Sequence, residues 1–266
     1  MAVYIDQLNR KVIIKEKPVR IISLVPSQTE LLHHLGLEEE VVGITKFCVH
    51  PENWFKIKTR IGGTKNIDLQ KIRVLNPDLI IANKEENVQQ QIEELANDFP
   101  VWVSDVNTLD DALKMINCLG ELIGKTEQAS ILIAEIKKGF ADLKLPTPNC
   151  RLQTAYLIWK EPYMTIGGDT FINDMLCKAG LQNIFQHRQR YPQITLSDLS
   201  SMNCELLLLS SEPYPFGQTH IGELKAQLPT TKIILVDGEL FSWYGSRLLK
   251  APHYFKSLQQ QVASMV

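Results

Sequence analysis

Cys48 and His50 are the first residues to weigh for chemistry, because a thiolate and an imidazole two positions apart can face one metal ion. Two ligands are too few for a closed protein site, and no second Cys/His cluster stands at a familiar spacing. The more modest reading is that Cys48 or His50 makes an axial contact to a metal already held inside a bound ligand. Arg188, Arg190 and Arg247 have the planar fork that grips carboxylates or phosphates, with ordinary surface charge as the alternative. Glu161 and Asp237 would make an acid/base pair, but a chain with 30 carboxylates offers many such pairs. There is no G-x-S-x-G elbow, no H-E-x-x-H and no phosphate-binding P-loop, so no enzyme is expected.

Aromatic residues give a stronger pattern. Phe47, Tyr163, Tyr191, Tyr214, Trp243 and Tyr244 all fall in segments that read as loops following strands. Several stand beside glycine or proline, as in Trp159-Lys-Glu-Pro-Tyr163, Glu212-Pro-Tyr-Pro-Phe216 and Phe241-Ser-Trp-Tyr-Gly245. Rigid rings on such loops suit a flat or bulky ligand, whereas any one of them alone is better read as packing at a loop end.

The elements that position these loops alternate. Val3 to Ile5 and Lys11 to Ile14 read as two short strands around a polar turn. Ile21 to Val25 reads as a buried strand, and Ser27-Gln-Thr-Glu30 as a capping box opening the helix that follows. Further strands are expected at 41–44, 78–82, 101–103 and 152–158, with helices at 88–97 and 108–123 between them. That alternation predicts parallel βαβ units, whose ligands gather at the carboxyl ends of the strands. From Thr126 to Leu143 the apolar positions fall on one stripe of a single long helix, ended by Pro146-Thr-Pro148. It reads either as a strut joining two lobes or as a crossover helix within one sheet. An internal echo supports two lobes: Leu69 to Ile81 lies over Leu196 to Leu208 at an offset of 127 residues. Each segment runs from a short helix through Asn and an acid into a buried strand.

Composition excludes other classes. A net charge of −2 gives no basic face for nucleic acid, and no apolar run is long enough to cross a bilayer. Five cysteines without C-x-x-C spacing make neither a disulfide framework nor a zinc ribbon. No basic and apolar leader precedes Asp6, so the location is expected to be cytoplasmic if Met1 is the native start, and extracytoplasmic if a signal has been removed.

Arg20-Ile-Ile-Ser-Leu-Val-Pro-Ser-Gln-Thr-Glu-Leu-Leu, Val41-Val-Gly-Ile, Ile61-Gly-Gly-Thr-Lys-Asn, Leu75 to Ala82 and Ile166-Gly-Gly-Asp-Thr together resemble the helical-backbone substrate-binding proteins. That is the periplasmic binding family for iron complexes and vitamin B12. The resemblance implies an α/β fold of two parallel-sheet lobes, 1–125 and 146–266, joined by a backbone helix over 126–145, with a ligand cleft between lobes. It implies a carrier that delivers a metal-bearing cofactor to an ABC permease, with no covalently held cofactor, and a monomer is expected. Tyr191-Pro192-Gln193, Trp243 and Phe47 are most similar to members that bind cobalamin, so a corrinoid or related tetrapyrrole is the expected ligand. A ferric siderophore or other chelate is the alternative, and a cytoplasmic metal- or tetrapyrrole-handling protein or enzyme using Cys48 and His50 is a third reading. The expected ligand contacts are Pro26, Ser27, Phe47, His50, Thr64, Tyr163, Tyr191, Trp243, Tyr244 and Arg247, the helix at Ser27 supplying a polar grip. Thr64 stands where family members carry an aromatic residue. For docking on a permease the family uses one carboxylate per lobe; Asp198 is near one such place, while Gln70 occupies the other.

Overall fold

A computed structural model describes residues 1–143 and 152–265. The chain divides into two compact units. The first comprises Met1–Val106, Asp110–Ile136 and Tyr244–Arg247; the second comprises Asn107–Leu109, Lys137–Trp243 and Leu248–Val266.

The first unit begins with an antiparallel hairpin, β1 (Ala2–Ile5) and β2 (Lys11–Ile14). Then follow β3 (Ile21–Ser23), α1 (Pro26–His34), β4 (Val41–Ile44), α2 (Glu52–Ile57), β5 (Thr59–Arg60) and α3 (Leu69–Leu75). It continues through β6 (Leu79–Asn83), α4 (Gln89–Ala96), β7 (Val101–Ser104) and α5 (Leu109–Leu122). The five strands after the hairpin form one parallel sheet in the order β5-β4-β3-β6-β7. All five residues of β6 and all four of β7 are buried, as expected for parallel strands covered by helices on both faces. Each fully buried Ile or Leu in such a strand contributes about 1.5–3 kcal/mol.

Helix α6 (Thr126–Ala141) buries Ala129, Leu132 and Ile136, and the division between the units falls within it, after Ile136. The proline pair expected to end this helix lies outside the described residues, as does Cys150. The second unit then runs through β8 (Gln153–Leu157), α7 (Phe171–Lys178), β9 (Gln182–Asn183), α8 (Leu196–Ser201) and β10 (Leu206–Ser210). After these come α9 (Gln218–Gln227), β11 (Lys232–Val236), α10 (Glu239–Ser242), a 3-10 turn at Ser246–Leu249 and α11 (Ala251–Ala263). Its parallel sheet has the order β11-β10-β8-β9.

The internal echo is structural as well as sequential. Asn76 ends α3 with φ 45°, and Asn203 follows α8 with φ 52°. Asparagine tolerates this left-handed conformation, which lets a short helix turn straight into a strand. The acid two residues on does the same work in both units. Asp78 accepts hydrogen bonds from the Val19 and Arg20 amides just before β3, and Glu205 accepts one from the Gln153 amide that starts β8. Gly36 after α1 and Gly180 after α7 are also left-handed, with φ 77° and 80°.

Two local expectations are corrected. Helix α1 starts at Pro26 with Val25 as its N-cap, and no side chain caps it, so the capping box expected at Ser27–Glu30 does not form. With the helix starting at Pro26, Ser27 lies inside the first turn, Val25 at the cap has no side-chain acceptor, and Glu30 is engaged elsewhere. The second correction concerns Tyr244–Arg247, expected within the lobe 146–266, which packs with the first unit.

Candidate functional site

In the first unit the carboxyl ends of β3, β4 and β6 are tied together by short polar side chains. Asn83, the last residue of β6, accepts from the Glu85 and Glu86 amides at 2.8 and 3.0 Å and donates to Ser104 Oγ at 3.0 Å. Asn87 donates to the Leu24 carbonyl after β3 and to the Thr64 carbonyl, which fixes the Gly62–Asn66 loop. Gly62 has φ 98°, and a Cβ there would lie 2.5 Å from the Asn66 carbonyl oxygen, so this loop requires glycine. Beneath it, Cys48 is fully buried with Sγ 3.0 Å from Thr29 Oγ1 and 3.1 Å from Thr45 Oγ1. Burial pushes the Cys48 thiol up, against the pull of those hydroxyls. A buried protonated thiol is neither a metal ligand nor a nucleophile, and this corrects the reading of Cys48 as a metal contact. Among the described residues no group of three or more His, Cys, Asp or Glu could hold a metal ion.

What this end of the unit leaves open is apolar and cationic. Phe47 is 51% exposed, with Lys46 Nζ 5.1 Å from its ring centroid. Gly63 leaves room for that ring, since a Cβ there would come within 3.1 Å of it. His50 is half-buried, and Thr64 is buried. Glu86 lies next to the Lys65 loop, and burial raises the proton affinity of its carboxyl despite the nearby lysine.

Arg247 and Ser27 depart from their expected roles. The Arg247 guanidinium donates from Nε to Glu30 Oε2 at 3.0 Å and from Nη2 to Glu30 Oε1 at 2.8 Å. Both side chains are largely buried, so the fork is spent on α1 rather than offered to a ligand. Ser27 is buried, and Gly245 sits so close that a Cβ would lie 2.8 Å from the Ser27 carbonyl oxygen. The segment Tyr244–Arg247 is thus a strap fastened to α1, and Tyr244 is buried within it.

The second unit finishes its strands with rings. Trp159, after β8, is 41% exposed and meets Tyr214 edge-on at 5.6 Å between centroids. Tyr214 packs in turn on Phe216 at 4.7 Å and lies 3.3 Å through its hydroxyl from His220 Nε2. His220 Nδ1 accepts the Gly217 amide at 2.9 Å, which defines the imidazole tautomer with its proton on Nε2. Tyr163 packs against the same core, with Lys160 and Glu223 paired at 2.8 Å alongside. Trp243 is mostly buried, and its Nε1 donates to Glu212 Oε1 at 3.0 Å; the same oxygen accepts from Ser242 Oγ at 2.7 Å. Glu212 therefore sets the orientation of the indole.

The Arg188–Tyr191 loop is held by close glycine contacts. Gly167 donates to the Arg190 carbonyl and Gly168 to the Arg188 carbonyl. A Cβ on Gly168 would lie 2.1 Å from the Gln186 carbonyl oxygen. On that loop Arg190 pairs with Asp169 at 3.7 Å and lies over the Tyr191 ring at 5.7 Å. Asp198, in α8, accepts from the Thr195 amide and hydroxyl in a capping box, and those bonds hold its carboxyl below the usual range.

Sequence reasoning placed Phe47, Tyr163, Tyr191, Tyr214, Trp243 and Tyr244 on loops after strands; the structure has the first four there, whereas Trp243 and Tyr244 follow helix α10. It missed Trp159, Glu212, His220 and Glu30 as members of these clusters. Trp159 and Glu212 stood inside loops already singled out, whereas His220, two residues into α9, and Glu30, within α1, carried no signal of their own.

The comparisons agree with this architecture. A family model described as periplasmic binding protein matches residues 21–231. The chain is 28% identical over 213 residues to the ABC transporter substrate-binding lipoprotein YvrC of Bacillus subtilis, covering 76% of this chain and 67% of the relative. It is 28% identical over 241 residues to the vitamin B12-binding protein of Photorhabdus laumondii, covering 88% of this chain and 85% of that one. Among solved structures, the periplasmic heme-binding protein HutB of Vibrio cholerae superposes with a TM-score of 0.77 at 17% identity, over 91% of this chain and 98% of that one. At that identity the last match speaks for the fold alone. Members of the family are substrate-binding proteins of transport systems and not enzymes, which sets aside the reading of an enzyme built on Cys48 and His50. With its two α/β units and a match spanning most of its length, the chain belongs to the periplasmic binding protein family.

Proposed function

We propose that the protein carries a metal-bearing cofactor, a corrinoid or related tetrapyrrole, to an ABC permease outside the cytoplasm. The observation that carries this reading is the set of rings on loops of the second unit, Trp159, Tyr163, Tyr191 and Tyr214 after strands and Trp243 after α10, which supply flat apolar contact. Phe47 supplies the exposed ring of the first unit, with His50 and Thr64 on neighbouring loops. Relatives that are vitamin B12-binding proteins support the choice of ligand. Pro26 opens α1, Ser27, Tyr244 and Arg247 belong to the strap and its seat, and Asp198 is the proposed carboxylate for permease docking.

A ferric chelate or haem is the second reading, favoured by the cations Arg188 and Arg190 on the Tyr191 loop, which suit ligand carboxylates. The test is a visible absorption spectrum of the purified protein, repeated after incubation with cobalamin, haemin and a ferric siderophore. Saturable uptake of cobalamin with quenching of tryptophan emission is expected. Uptake of haemin or the ferric chelate in its place would move the assignment to the second reading. Failure to take up any of the three at millimolar concentration would overturn both.

A further inference from the structure

The β1–β2 hairpin carries an apolar face that nothing in the first unit covers. Its register pairs Val3 with Ile13 and Ile5 with Lys11, and residues paired across an antiparallel ladder share a face. On that face Val3 is 59%, Ile5 49% and Ile13 52% exposed, with Met1 adjoining them. The opposite face is the anchored one, where Val12 and Ile14 are buried.

The hairpin is held rigidly. Asp6 in its turn is buried and accepts from the Leu8 and Arg10 amides and the Arg10 guanidinium. Gln7 uses three groups: its amide donates to the Val103 carbonyl in β7, its Oε1 accepts from the Asp105 amide just after β7, and its Nε2 donates to the Asp111 carbonyl of α5. The exposed aliphatic residues are therefore presented on a fixed ribbon.

Charge decides what this ribbon fits. Between Arg10 and Arg20 the chain has five basic residues and one acid, in a protein whose net charge is −2. Asp6 neutralises Arg10 at 2.7 Å, but Lys11 stands on the apolar face itself, and Lys15 and Lys17 follow it, all exposed. A second copy stacked on this face would gather the exposed lysines of both copies, Lys11 and Lys15, at one interface. The ribbon is also only four residues long, well short of the roughly 800 Å² per partner of a stable protein interface. Aliphatic side chains flanked by exposed lysines match instead the interface of an anionic bilayer, where the stems sink into the headgroup layer and the ammonium groups meet lipid phosphates. We propose that the outer face of the β1–β2 hairpin docks the protein on an anionic phospholipid surface.

The test is flotation of the full chain with vesicles of phosphatidylcholine alone and with vesicles containing about one third phosphatidylglycerol, at low salt. The expected result is binding to the anionic vesicles only, lost at about 0.5 M salt. Lys11→Glu with Lys15→Glu should weaken it by more than about tenfold, and Val3→Asp with Ile13→Asp by a similar factor. Val74→Asp, an exposed apolar position on α3, should leave it unchanged. All four substituted positions of the double variants are on the surface, so thermal melting should match the parent. No binding to the anionic vesicles, or binding equal in parent and double variants, would overturn the proposal. So would a concentration-dependent dimer in sedimentation velocity that the same substitutions dissolve. Cofactor uptake is measured separately and does not enter these outcomes.

Discussion

The two units share their helix-to-strand joints and differ at the other end of their strands. In both, a short capped helix, a left-handed asparagine and an acid lead into a buried strand, at a constant offset of 127 residues. At the carboxyl ends the first unit knits Asn83, Asn87, Ser104 and Thr64 into a polar net, leaving Phe47 as its exposed ring. The second unit ends its strands in Trp159 and Tyr214 and adds Trp243 after α10, fixed by Glu212. The difference teaches that the joints carry the fold and were kept in both halves, whereas the strand-end loops were free to diverge toward separate contact chemistries.

The comparison can be broken most severely where a loop depends on the close approach of backbone to a glycine. Gly168→Val should cost the second unit on the order of 3 kcal/mol, because its Cβ would displace the Gln186 backbone. Chemical denaturation should show this, and proteolysis should cut first near the Arg188–Tyr191 loop. In the first unit, Glu30→Ala leaves the Arg247 guanidinium largely buried without its carboxylate. A loss of about 2 kcal/mol is expected there, discounted for the partial exposure of the pair, and Glu30→Asp should recover little of it.

A smaller and more telling effect concerns the shared joints. Asn76→Ala and Asn203→Ala should each cost about 1 kcal/mol by forcing alanine into the left-handed region, and Asn→Gly at either site should be close to neutral. Equal costs would establish the two joints as one device used twice; a cost at only one would end the equivalence.

The smallest effects are in pH dependence, and they have opposite signs. Asp198 in the second unit has a folded pKa below its unfolded value, so its contribution is present above the unfolded value and is lost as pH falls through the folded one. Asp198→Asn should flatten that acid limb of a stability profile. Glu86 in the first unit has a folded pKa above its unfolded value, so stability is greatest when it is protonated and declines as pH rises through the folded value. Glu86→Gln should remove that decline and leave the protein more stable near neutrality.

Much of the fold was legible because parallel strands announce themselves as apolar runs between helical stretches. Leu206 to Leu209 and Leu79 to Ala82 needed no tertiary knowledge to be read as buried strands. The Asn-to-acid joint was legible as a repeat, since its residues recur in order. The site was legible only as a list of loops. Phe47 and Trp159 are exposed on such loops, as composition and position implied. Arg247 was misread because its partner is 217 positions away, and only the folded chain brings Glu30 to it. Ser27 was misread for a local reason: the Ser-x-x-Glu pattern is a capping box only if the helix starts after the serine, and Pro26 starts it earlier. Cys48 looked reactive by residue type, and it took the hydroxyls of Thr29 and Thr45 and the absence of solvent around it to show an inert thiol.

The strap has a consequence for how this protein is dissected. Because Tyr244–Arg247 returns to the first unit after more than a hundred residues spent in the second, neither unit is a continuous stretch of gene. A fragment cut at α6 would lack the four residues that fasten α1 and would expose Glu30, Ser27 and the packing surface of Gly245. Expression of the halves as separate polypeptides should therefore yield a first half that needs a peptide spanning the strap, supplied in trans, to regain the cooperativity it has in the intact chain.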